Sequence, residues 1–144
     1  MPNNVFLVLA NFSVDQRAEL LQRCPPRFVN VWCRHLVWAY KVPEDFAWPK
    51  ERPLKLTITA EHQGEGHHAL IGHIDIDGHT YDRQQLGEEP RKWLHITMST
   101  DDGVPVMAAG EIDLHAVYGV EQFELDVTLT KDNARRLTAE RRVA

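Results

Sequence analysis

The chain has 144 residues, 43% of them hydrophobic, and 16 basic against 21 acidic side chains give it a formal charge of −5. That length and apolar content suit one compact domain with its own core. The acidic balance excludes a uniformly basic nucleic-acid coat and leaves room for a local basic cleft.

The opening segment MPNNVFLVLA has neither the basic start nor the long apolar run of a signal peptide, and no stretch has the length of a membrane span. Two cysteines, Cys24 and Cys33, are too few for a secreted disulfide scaffold. The expected setting is soluble and cytoplasmic, with both thiols reduced. Val5 to Ala10 is a short apolar run that suits a buried strand. Ser13 and Gln16 have the spacing of a capping box, so a helix is expected from there to just before Pro25-Pro26. Phe28 to Lys41 is rich in aromatic and β-branched residues and reads as one strand. Its alternation puts Cys33, His35, Val37 and Ala39 on one face.

Pro43 to Pro53 is expected to be loop. Leu54 to Ala60 and Ala69 to Asp77 alternate as strands, with Glu61 to His68 as the turn between them. Tyr81 to Arg91 is a polar connection. Trp93 to Thr100 is a strand with Trp93, His95, Thr97 and Ser99 on one face, closed by Asp101-Asp102-Gly103. Ala108 to Val117 suggests a short helix, and Phe123 to Thr130 a last alternating strand. Residues 1–130 therefore form one domain. Residues 131–144 form a basic tail, with Lys131, Arg135, Arg136, Arg141 and Arg142 against Asp132 and Glu140. Strands with one or two helices give an α+β domain.

Of eight histidines, His62, His67, His68, His73 and His79 cluster about a hairpin and read as solvent-facing; His115 falls on a helical surface. No HExxH, CxxC pair or carboxylate cluster accompanies them, so neither a metal nor another cofactor is expected. His35 and His95 differ, because each stands inside an apolar strand (RHLVWAY and LHITMST), where an imidazole needs a hydrogen-bonded role. Thr97 shares the face of His95, so a ring and a hydroxyl stand side by side. One neutral and one protonated imidazole would serve phosphodiester cleavage as general base and acid.

Paired His-x-Thr or His-x-Ser strand motifs mark the two-histidine (2H) phosphoesterase superfamily. Through WLHITMST and RHLVWAYKV the chain resembles a divergent member, of the RNA ligase and cyclic phosphodiesterase kind. The resemblance implies a two-lobed α+β fold with antiparallel strands around a central cleft. It also implies metal-independent hydrolysis of a 2′,3′-cyclic phosphate, a 2′-5′ linkage or a related nucleotide phosphodiester, with an RNA end or small nucleotide as partner. His35, His95 and Thr97 take the catalytic places. Val37 stands where the first motif has its hydroxyl, and Lys41, Trp93 and Ser99 are the further substrate-contact candidates, with Lys92 at a strand end. The loss of a hydroxyl at Val37 also admits a second reading, a nucleotide- or RNA-binding module with weak or no turnover.

Overall fold

A computed structural model describes residues 6–86, 91–105, 111–133 and 140–141. The described chain is predominantly antiparallel sheet with a single α-helix: β1 (Phe6–Asn11), α1 (Val14–Arg23), β2 (Asn30–Val31), β3 (His35–Ala39), β4 (Leu54–Gln63), β5 (His67–Ile76), β6 (His79–Tyr81), β7 (His95–Thr100), a 3₁₀ turn (Leu114–Ala116), β8 (Val117–Val127), β9 (Leu129–Asn133) and β10 (Glu140–Arg141). The strands form one sheet in the order β8-β4-β5-β7-β3-β1-β9; β6 pairs with β5, and β2 with β7 and β10. This corrects the expected two-lobed α+β fold. The two histidine strands are not centres of separate lobes but neighbours in one sheet.

The ends of that order are themselves adjacent in the chain. β8 pairs with β4 and β9 with β1, with only Thr128 between β8 and β9, so the sheet curls until one run of chain lines both of its sides. Leu36, Leu56, Ile58, Leu70, Ile74, Leu94, Ile96 and Met98 meet inside this curl in one buried cluster, joined by Leu125, Val127 and Leu129. Alternation along β8 and β9 supplies that last set, since every second side chain points inward. No helix among the described residues is long and apolar enough to cross a membrane.

The helix starts where its capping box predicts. Ser13 Oγ accepts from the Gln16 N–H at 3.1 Å, and Gln16 Oε1 accepts from the Ser13 N–H at 3.0 Å. Two otherwise unpaired donors of the first turn are thereby satisfied. Leu20 is the helix residue driven fully into the core, and Cys24 caps the helix end just before the two prolines.

Other boundaries differ from the sequence pattern. The 28–41 strand is broken into β2 and β3 because Cys33 takes a left-handed φ of 51°, which turns its side chain into the core, away from the face of His35. The hairpin turn shrinks to Gly64–Gly66, so β4 and β5 each run to 10 residues. β8 begins at Val117, and of the expected 108–117 helix only the 3₁₀ turn 114–116 is seen; residues 108–110 lie outside the described residues, as does Val5 of the first strand. Two short bridges tie Gln85 to Ala39 at the end of β3 and Arg83 to Trp93 just before β7.

Candidate functional site

Leu36 pairs with Ile96 across β3 and β7, and both are fully buried on the core face. Antiparallel pairing then sets His35 beside Thr97 and Val37 beside His95 on the opposite face. His35 and His95 are diagonal neighbours on adjacent strands, a relation that separates Cβ atoms by about 7 Å. Both are half-buried.

The row through His35 and Thr97 continues on either side. On β1 it reaches Asn11, opposite His35; on β5 it reaches Ala69, opposite Thr97; on β4 it reaches His62, opposite Ala69. Asn11, His35, Thr97, Ala69 and His62 therefore form one cross-strand line, with Leu9, Val37, His95, Ile71 and Ala60 in the line beside it. The imidazoles feel one another through this line. Burial chiefly lowers the His95 pKa, to about 4; its bond to the Trp93 carbonyl opposes the shift, and the fields of Lys92, His62 and His35 add to it. His35 is lowered too, by burial and Arg34, against Asp132.

His95 has a fixed tautomer. Its Nδ1–H donates to the Trp93 carbonyl at 2.7 Å, so the lone pair of the neutral ring sits on Nε2. With both pKa values lowered by burial, the two imidazoles are uncharged at neutral pH. An anion bound against the pair would shift the balance toward the protonated form, because a nearby negative charge favours a charged ring. The arrangement can take up a proton with the anion, hold it on one ring and keep the other as base.

The remaining predicted residues divide. Val37 lies on the face of His35 and His95 and presents an apolar side chain there, with no hydroxyl. Trp93 is half-buried and already stacked by Arg83, whose guanidinium lies 3.5 Å from the ring centroid. One face of that indole is thus occupied. Lys41 sits beyond the end of β3 in a left-handed turn, its ammonium 5.4 Å from the Tyr40 ring. Lys92 is half-buried, and its carbonyl accepts from the Gln84 N–H at 2.8 Å.

Ser99 is not brought to the pair. A register shift between His68/Ala69 and their β7 partners breaks the parity that the sequence implies. Its fully buried Oγ accepts from the N–H groups of Arg27 (3.0 Å) and Phe28 (3.1 Å) and lies 3.5 Å from His68 Nδ1. The neutral His68 ring then donates from Nε2 to Glu61 Oε2 at 2.9 Å. Ser99 and His68, both fully buried, and Glu61, which is only half-buried, form a hydrogen-bonded chain that pins the 24–30 loop to the sheet. Cys33 is equally remote from chemistry: burial pushes its thiol up to about 12.

Two histidines expected to face solvent are instead buried completely, His62 and His68. His62 Nε2 accepts from the Asp113 N–H at 3.0 Å, which leaves its ring proton on Nδ1. That Nδ1 is buried without a partner among the described residues, and so is His67 Nδ1; the two ring centroids lie 5.2 Å apart. Alternation through TITAEHQ fails to expose this, because the bulge between Ile58 and Ala60 shifts the parity of the strand end. No group of three or more metal-ligating side chains is found among the described residues.

The chain matches no known family model, no curated protein and no solved structure. The likeness to two-histidine phosphoesterases therefore rests on the two short motifs.

Proposed function

We propose that the chain is a metal-independent phosphodiesterase acting on a nucleotide phosphodiester, a 2′,3′-cyclic phosphate or a 2′-5′ linkage, with His35 and His95 exchanging the roles of acid and base. The observation that carries this reading is the diagonal apposition of the two half-buried imidazoles beside Thr97 on one sheet face. Thr97 contributes a hydroxyl to a phosphoryl oxygen. His95 Nε2, unprotonated because Nδ1–H is committed to the Trp93 carbonyl, is the base for water. His35 is the ring on which the substrate's charge stabilises a proton for the leaving oxygen. Two buried free cysteines accord with a reducing, cytoplasmic setting.

The test is hydrolysis of a nucleoside 2′,3′-cyclic phosphate and of a 2′-5′ dinucleotide in the presence of a chelator. His35→Ala and His95→Ala are each expected to lower the rate by about 10²- to 10⁴-fold, the usual share of a general acid or base. Parental turnover in either variant refutes the assignment.

Val37 favours a second reading, a nucleotide- or RNA-binding module of the same site. Calorimetric binding of a cyclic nucleotide without product on long incubation selects it over the first.

A further inference from the structure

Away from the histidine pair, at the C-terminal end of α1, a cavity of about 800 Å³ opens between the 24–27 loop, the end of β4 and the first half of β8. Its wall carries an oriented carboxylate. Glu61 Oε1 accepts from Gln63 Nε2, and Oε2 accepts from the ring of the fully buried His68, itself backed by Ser99. Burial pushes the Glu61 pKa up, yet the bonds from Gln63 and His68 more than reverse that, so the group is ionised. A carboxylate has about four lone-pair directions, and these two bonds use one on each oxygen.

Across from it the wall carries two arginines and an apolar side, with the exposed Glu121 as a second acid. The Arg23 guanidinium carbon sits over the Phe123 ring, 4.4 Å from its centroid, and the side chain makes an ion pair of 3.0 Å with Glu19. Val120 extends the apolar side. At the rim stands Arg27, exposed, with no hydrogen bond or ion pair to its guanidinium among the described residues. A fixed acceptor pair, an apolar side and an exposed guanidinium are the elements of a small-molecule site.

We propose that this cavity binds a small molecule with a flat, two-donor N–H edge directed at Glu61 and an anionic group directed at Arg27. Two chemistries supply that pairing: the Watson–Crick edge and phosphate of a guanine mononucleotide, and the guanidinium and carboxylate of arginine. A carboxylate accepts both N–H forks side by side, and Arg27 meets either anion bidentately. The inference stands independently of the phosphodiesterase reading, because it uses none of His35, His95 or Thr97.

Titration calorimetry with the full chain tests it, using GMP, AMP, arginine and agmatine as probes. AMP lacks the two-donor edge and agmatine lacks the anion. GMP or arginine is expected to bind, and its stripped counterpart to bind at least tenfold more weakly. Arg27→Ala, a change at an exposed side chain, is expected to weaken the productive probe at least tenfold, and Glu61→Gln likewise. With arginine as probe, which brings no phosphate to the histidine pair, His35→Ala is expected to leave binding unchanged, which separates this cavity from that pair. Absence of heat from both GMP and arginine at millimolar concentration overturns the proposal. So does equal binding of AMP and GMP together with equal binding of agmatine and arginine. Affinity that survives Arg27→Ala overturns it as well; should Glu61→Gln fail to fold, the Arg27 variant decides alone.

Discussion

Acidification should loosen this fold well above the carboxylate range, and His95 carries much of the effect. Its folded-state pKa is about 4, against an ordinary value of 6.5. A group whose pKa is depressed by folding binds fewer protons in the native state than in the unfolded chain. The stability associated with a neutral His95 is therefore fully present above pH 6.5 and is lost as pH falls towards 4. The full shift corresponds to roughly 3 kcal/mol, of which about 2 kcal/mol is lost by pH 5. His35, His62 and His68 are all lowered with burial as the chief cause, so they act in the same direction. Glu61 has its pKa lowered by folding and weakens the fold only below about pH 4.5, outside this window. Urea denaturation at pH 7 and pH 5 measures the loss, and His95→Asn isolates the His95 share, since Asn keeps a donor for the Trp93 carbonyl. The variant should lose about 2 kcal/mol less than the parent between the two pH values. An equal loss in both proteins would refute the reasoning, because it would mean that His95 is not held neutral by its surroundings.

Three further outcomes follow from particular contacts. At Gly72 an added methyl would run into the Thr57 carbonyl oxygen, a backbone atom that cannot swing aside, so Gly72→Ala should cost about 1–3 kcal/mol in urea denaturation. Ser99→Ala removes the acceptor of two part-buried backbone donors, those of Arg27 and Phe28, and should cost on the order of 1–3 kcal/mol while leaving turnover per folded molecule intact. Val37→Thr restores a hydroxyl on the site face; with the phosphodiesterase reading it should raise kcat by up to about 10²-fold, measured on the cyclic phosphate.

Strands were legible in the sequence wherever alternation ran uninterrupted, as in Leu54–Ile58, Ile74–Ile76 and Phe123–Val127, and the helix start was legible because Ser13 and Gln16 satisfy each other locally. What pattern could not reveal is where alternation breaks. Cys33 with its positive φ, the bulge before Ala60 and the shift between His68 and Ala69 each flip a face. Those flips bury Cys33 in the core, hide His62 and send Ser99 to His68 instead of to His95. The α+β expectation failed for a related reason. Val117 to Gln122 carries little hydrophobic contrast, so the first half of β8 is not marked as a strand, and its pairing with β4 is a long-range fact. His35, His95 and Thr97 share a face because the short β3–β7 pairing is in the register that their local parity implies.

The central claim is that His35 and His95 address one phosphate together, and imidazole chemical shifts read it directly. A pH titration of the ¹⁵N-labelled protein, with and without a nucleoside 2′-monophosphate, should show both ring pKa values raised by the bound anion. Titration curves for both rings that are unmoved by saturating nucleotide, or movement of one ring alone, would contradict it.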